Sequence, residues 1–116
     1  MTMAYEIPGF AFSHLSHGDV NLYSPVIIDP DGALEAAAAG PIVGIAQMSA
    51  TAAAPEPIRI MKTGISFAIA GAAIDAGAEV EVGADGKVVT LAGGISIGTA
   101  LVAAGADEEL ICILLN

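Results

Sequence analysis

The side chains capable of acid–base or metal chemistry cluster in one short stretch, His14-Leu15-Ser16-His17-Gly18-Asp19. His14 and His17 are the only two histidines of the chain. Together with Asp19 they offer three donors that zinc accepts, but their spacing matches no zinc-site pattern and no cysteine lies nearby. The stretch therefore favours solvated histidines over a metal site.

A second group of carboxylates occurs in Asp29-Pro30-Asp31-Gly32, followed by Glu35, and is similar to the beginning of a calcium loop. An EF-hand needs a further acidic or amide position before its glycine and a bidentate glutamate at the end of the loop. This spacing provides neither. Because proline fixes φ and glycine accepts a left-handed conformation, the motif instead predicts the turn of a β-hairpin.

The sequence also offers few residues that could act as nucleophiles or carry a prosthetic group. Cys112 is the only cysteine and stands in an apolar run, which is typical of a buried thiol. No G-x-S-x-G motif supports a serine triad, and no glycine-rich phosphate fingerprint is present. Met61-Lys62-Thr63 is similar in two residues to the Met-Lys-Met of biotin carrier domains, which leaves prosthetic-group carriage as a minor alternative. The sequence thus predicts no catalytic, cofactor-binding or metal-binding residue, and no enzyme.

The charge balance excludes one class of partner. Thirteen acidic residues against three basic ones give a formal net charge of −10. Such a surface repels phosphate backbones, so we expect no nucleic-acid partner. Residues 88–106 carry no charge and have the length of a membrane span. Their glycines and their strand-like alternation favour a protein that does not enter a membrane.

Short alternating or apolar runs separated by Gly/Asp turns dominate residues 77–116. Residues 79–82 alternate polar and apolar side chains, and the last run, 110–115, is wholly apolar. A strand that is apolar on both faces must be covered on both. We therefore predict an all-β fold, a small β-barrel or β-sandwich of roughly seven to nine short strands. Its core or oligomer seam would contain Leu110, Ile111, Ile113, Leu114 and Leu115.

The first 22 residues differ from the rest, and we predict an irregular N-terminal arm (1–22) followed by a β-rich domain (23–116). Four of the five aromatic residues lie in or next to this arm. The arm either folds back over its own domain or inserts its rings into pockets of a partner, as aromatic anchors do at interfaces. We favour the second interpretation, with the anchors Tyr5, Phe10, Phe12 and Tyr23.

Small side chains make up this hydrophobic chain, in which aromatic residues are only 4% of the total. Each small side chain buries little apolar area, and stabilisation scales with that area. The core is therefore expected to be thin, and copies of the chain or another protein would add to its stability by burying its faces.

The order of these turns and strands resembles the capsid cement, or head decoration, proteins of tailed bacteriophages. The similarity covers about residues 20–116. Its motifs are Val26-Ile27-Ile28 with Pro30-Asp31-Gly32, Pro41-Ile42-Val43-Gly44-Ile45-Ala46, Ala76-Gly77-Ala78-Glu79-Val80, Asp85-Gly86-Lys87-Val88, Ile97-Gly98-Thr99-Ala100-Leu101 and the apolar end of the chain.

The resemblance implies a structural virion protein that is made in the host cytoplasm and binds the outer surface of an assembled capsid. It implies the major capsid protein and further copies of the chain as partners, usually in a homotrimer, and reinforcement of the shell. The alternative is another β-rich phage module, such as a tail or fibre component.

Overall fold

The computed structural model describes residues 6–36 and 40–116, which form two antiparallel β-sheets and a single short 3₁₀ turn, Ala84–Gly86. The all-β prediction is confirmed. The strands are β1 (Ile7–Pro8), β2 (Ala11–Leu15), β3 (Pro25–Asp29), β4 (Gly32–Glu35), β5 (Gly44–Ala46), β6 (Pro57–Met61), β7 (Gly64–Ile69), β8 (Glu79–Val82), β9 (Val88–Thr90), β10 (Gly98–Ala100) and β11 (Leu110–Leu115).

Each sheet closes on itself through one parallel bridge. The six-stranded sheet has the order β1-β7-β11-β10-β8-β9, and a bridge between Ala70 and Val88 joins the end of β7 to β9. The five-stranded sheet has the order β2-β6-β5-β3-β4, and a bridge between Ser16 and Ala33 joins the end of β2 to β4. The backbone is thus paired within the chain at these two points, whereas β1, which pairs with β7, remains an edge strand of the six-stranded sheet.

The five-stranded sheet separates two hydrophobic cores. Ile45 and Met61 belong to the larger core, inside the six-stranded sheet, whereas their chain neighbours Ala46 and Ile60 belong to the smaller one. This division follows from the alternation of side chains along a strand. The smaller core is covered by Val20 and by Ala50, which lie on connecting segments that pair with each other.

The hairpin of β3 and β4 has the predicted turn chemistry. One carboxylate oxygen of Asp29, Oδ1, accepts hydrogen bonds from the backbone N–H groups of Asp31 (2.8 Å) and Gly32 (3.1 Å). Gly32 adopts φ +143°, in the region that favours glycine. The side chain of Asp29 therefore stabilises the turn and holds its second oxygen in a defined position.

Residues 6–22, which the sequence predicts to be irregular, contribute β1 and β2. Strand β1 pairs with β7, and strand β2 pairs with β6 along its whole length. The sequence of β2 lacks the polar–apolar alternation typical of a strand, because its side chains are half-buried or exposed on both faces. The predicted number of seven to nine strands fits residues 23–116, which hold nine, and the division at residue 22 stays a prediction.

A matched pair of isoleucines tests where the stability of the fold lies. Ile113 is fully buried in the larger core, whereas Ile95 is 49% exposed. We expect Ile113→Ala to lower the free energy of unfolding by about 2–5 kcal/mol, because it removes buried methyl groups and leaves a cavity. Ile95→Ala should change it by less than about 1 kcal/mol. Urea unfolding followed by circular dichroism measures both, and equal losses would contradict this placement of the core.

A second prediction concerns Lys87, whose Nζ lies 3.0 Å from Asp107 Oδ1 and 3.1 Å from Glu108 Oε1. The hydrogen bond to Asp107, then the one to Glu108, raise the pKa of Lys87 above its ordinary value. Folding therefore favours the protonated amine. This stabilisation is fully present below the ordinary lysine pKa of about 10.4 and is lost as the pH rises through the higher folded pKa.

Unfolding of wild type and Lys87→Met at two pH values tests this prediction. The wild type should be the more stable protein at about pH 8, and the difference should shrink at a pH well above the ordinary lysine pKa of about 10.4. Lys62→Met, which alters an exposed lysine, is the control and should show no such pH-dependent difference. A Lys87→Met deficit that persists unchanged at the higher pH would contradict the assignment.

Candidate functional site

The outer face of the six-stranded sheet exposes large apolar side chains in three cross-strand rows. Ile7 pairs with Ile65, which pairs with Leu114; Phe67 pairs with Cys112; and Ile69 pairs with Leu110. Residues directly opposite each other in an antiparallel pair project to the same side. We call this surface the apolar face, and its exposed or half-exposed members are Ile7, Ile65, Phe67, Ile69, Leu110 and Leu114.

Three members of the apolar face are markedly open to solvent. Ile7 is 54% exposed, Leu110 46% and Leu114 47%. Strands β1, β7 and β11 carry no charged residue, and Thr99 of β10, which pairs with Leu114, separates them from Glu79 of β8. An uncharged, exposed strip of this kind in a chain of net charge −10 is typical of interaction surfaces.

The predicted seam residues divide between this face and the interior. Ile111, Ile113 and Leu115 are buried in the larger core, whereas Leu110 and Leu114 lie on the apolar face. The sequence of residues 110–115 does not show which side chains are buried and which are exposed, because every position is hydrophobic. Strand periodicity predicts that alternate residues face opposite ways, and only the register shows which side is covered.

The predicted aromatic anchors occupy different environments. Phe10 is 60% exposed and stacks on Phe12, with ring centroids 6.1 Å apart. Phe12 is half-buried against the smaller core. Tyr23 is half-buried, contacts the larger core and lies 5.2 Å from Phe67 between ring centroids. Tyr5 lies outside the described residues. Of the three described rings, Phe10 is the one most open to a partner.

Hydrogen bonds on both sides hold the backbone of Phe10 in place. Its N–H donates to Thr63 Oγ1 (2.8 Å), and its carbonyl accepts from the N–H groups of Lys62 (2.8 Å) and Thr63 (3.3 Å). The backbone that carries the exposed ring is therefore hydrogen-bonded to the link between β6 and β7. A ring presented by fixed backbone loses less freedom on binding than one on a loose chain.

The structure groups the histidines and carboxylates differently from the two motifs of the sequence, residues 14–19 and residues 29–35. Asp19 Oδ1 accepts a hydrogen bond from the N–H of Ala52 (2.8 Å) and does not join the histidines. Instead, His17 Nε2 lies 3.7 Å from Asp29 Oδ2 and 3.9 Å from Asp31 Oδ2. The sequence did not reveal this grouping because its members come from two motifs that only the closure of the five-stranded sheet brings together.

Lysine and carboxylate side chains line one cavity among the described residues, and mainly apolar side chains line another. A cavity of about 370 Å³ beside Lys87 is lined also by Asp85 and Glu108, and the amine of Lys87 is engaged by Asp107 and Glu108. A smaller one of about 150 Å³ is lined mainly by apolar side chains, among them Ile42, Ile95 and Leu115. Cys112 is fully buried.

No helix among residues 6–36 and 40–116 has the length and hydropathy of a membrane span.

Comparison with known proteins identifies the family of the chain. The family model described as "Phage cement protein" matches residues 15–115, which is most of the chain and includes β3 to β11. No curated protein matches the chain. The earlier resemblance is confirmed, and the chain belongs to the phage cement protein family, whose members have a structural role in the phage capsid.

Proposed function

We propose that this cement protein binds the outer surface of an assembled phage capsid as a homo-oligomer, a trimer, and reinforces the shell. The observation that carries the proposal is the apolar face, an uncharged and exposed strip on a chain of net charge −10. Synthesis in the host cytoplasm would precede this attachment.

Self-association is assigned to the apolar face, through Leu110 and Leu114. Copies of net charge −10 repel one another, so a seam between them must avoid carboxylates. The face between β1 and β11 meets that requirement. Covering the exposed halves of Leu110 and Leu114 would stabilise the assembly by roughly 1 kcal/mol each. In a trimer the contact is heterologous, so this face would lie against a different surface of the next copy.

Attachment to the shell is assigned chiefly to Phe10, with Tyr5, Phe12 and Tyr23 as the further predicted anchors. Phe10 combines high exposure with a fixed backbone, as an interface anchor requires. Phe12 supports its ring by stacking. Tyr23, which packs against Phe67, would act by holding the neighbouring surface in shape.

The acidity of the chain suits a position outside the shell. A strongly negative protein is repelled by packaged nucleic acid and gains nothing from contact with it. Reinforcement follows from linkage, because a ligand that contacts several neighbouring subunits binds the assembled shell better than the separate subunits. The cement protein would therefore shift the equilibrium towards assembly.

Charge placed on the apolar face tests self-association. We expect the double variant Leu110→Glu/Leu114→Glu to shift the protein from an oligomer to a folded monomer, because buried carboxylates would have to be desolvated at the seam. Size-exclusion chromatography with light scattering measures the mass, and circular dichroism checks the fold. Ile95→Glu changes an exposed isoleucine outside the face and is the matched control. A double variant with wild-type mass would disprove the seam.

Truncation of one ring tests attachment to the shell. We expect Phe10→Ala to weaken binding to purified, undecorated capsids by about fivefold or more, which corresponds to about 1 kcal/mol. The control Met48→Ala alters another exposed apolar residue and should bind as wild type does. Tyr5→Ala examines the anchor outside the described residues. Point variants are preferable to deletion of residues 1–22, since that deletion would remove β1 and β2.

Two outcomes would redirect the proposal. If Phe10→Ala binds capsids with wild-type affinity, the shell contact lies elsewhere. If the wild-type protein sediments with purified tails and not with capsids, the tail or fibre alternative replaces the capsid assignment.

A further inference from the structure

We infer that His17, Asp29 and Asp31 form a binding site for one divalent transition-metal ion, of which zinc is the representative. One imidazole nitrogen and two carboxylate oxygens, one from each residue, lie within 4.8 Å of one another. The site is separate from the apolar face and from Phe10, so it does not depend on the proposed function.

The spacing of the donors is close to that of a metal shell. In a tetrahedral zinc site with bonds of about 2.1 Å, neighbouring ligand atoms are about 3.4 Å apart. The two distances from His17 Nε2 are 3.7 Å to Asp29 and 3.9 Å to Asp31. The two carboxylate oxygens lie within 4.8 Å of each other, so closing the shell requires them to approach by up to about 1.4 Å, which rotation of the exposed Asp31 side chain can provide.

The donor types select the class of ion. Imidazole nitrogen favours zinc, copper, nickel and iron, whereas calcium and magnesium prefer shells made of oxygen alone. Two carboxylates would neutralise a divalent charge, and the strongly negative chain adds a favourable field. Three protein ligands leave a position for water, and the exposure of His17 (40%) and Asp29 (34%) gives an ion access.

The fold positions two of the three groups, Asp29 and the backbone of His17, whether or not an ion is bound, and the side chain of Asp31 is exposed. The two N–H groups bound to Asp29 Oδ1 leave Oδ2 directed towards His17. The N–H of His17 donates to the carbonyl of Ala33 (2.7 Å), and Gly32 approaches so closely that a Cβ there would lie 3.1 Å from the Cβ of His17. Binding an ion would therefore chiefly require ordering of the Asp31 side chain.

An ion at this site would connect the two parts of the chain that close the five-stranded sheet. His17 follows the end of β2, and Asp29 and Asp31 belong to the hairpin of β3 and β4. The closure between them is one parallel bridge, Ser16 to Ala33. Since the unfolded chain does not hold the three donors together, binding would favour the folded state.

The test uses the untagged, EDTA-treated, full-length protein with zinc chloride. We expect isothermal titration calorimetry to show one equivalent bound per chain and the melting temperature to rise with zinc concentration. Asp29→Asn should weaken binding at least about tenfold. It retains the Oδ1 that accepts the two N–H groups of the turn, so its fold should survive, and His17→Gln provides a second variant. Cobalt chloride supplies a separate readout, visible d–d absorption, which should be lost in both variants.

Two controls separate this site from general ion binding by an acidic surface. His14→Ala and Asp19→Asn alter the other members of the histidine-containing stretch and should bind zinc as wild type does. If Asp29→Asn and His17→Gln show the wild-type melting shift and stoichiometry, the ions are adventitious and the site is disproved. A wild-type protein that shows no titration heat and no cobalt spectrum would disprove it equally.

Discussion

Closure of each sheet by one bridge is the constraint from which the architecture of this protein follows. Its strands are short, and many of its buried residues are alanine or valine, so an open sheet would bury too little apolar area. Bringing Ala70 to Val88 and Ser16 to Ala33 curls each sheet around its own core. The five-stranded sheet also contributes Ile45 and Met61 to the larger core, so its two faces pack against two different cores.

The contact between the two sheets depends on an equally local requirement. Gly86, in the 3₁₀ turn, has φ +74°, and a Cβ there would overlap with Oε1 of Glu35. That carboxylate also accepts hydrogen bonds from the N–H and Nδ2 of Asn21. Because residue 86 is a glycine, the 3₁₀ turn can approach the carboxylate of Glu35. Asn21 holds that carboxylate in place through its two hydrogen bonds.

The parts of the fold that local chemistry determines could be predicted, and those that depend on distant pairing could not. The turn at Asp29 and Gly32 is visible in the sequence because its hydrogen bonds are local. The division of Leu110–Leu115 into buried and exposed residues depends on partners in β7 and β10, which lie between 13 residues (Ala100 to Ile113) and 49 residues (Ile65 to Leu114) away. The grouping of His17 with Asp29 was hidden for the same reason. Strand β2 went unrecognised because neither of its faces is fully covered.

The fully buried thiol of Cys112 has a consequence for how motion in this protein can be followed. Its position opposite Phe67, with Leu110 and Leu114 two residues to either side, excludes solvent from a small side chain on an otherwise open surface. A reagent can reach the sulfur only when the side chains around it or β11 itself move aside, and no second cysteine competes for it. The rate of alkylation would thus report transient openings around the C-terminal strand, without any label added to the chain.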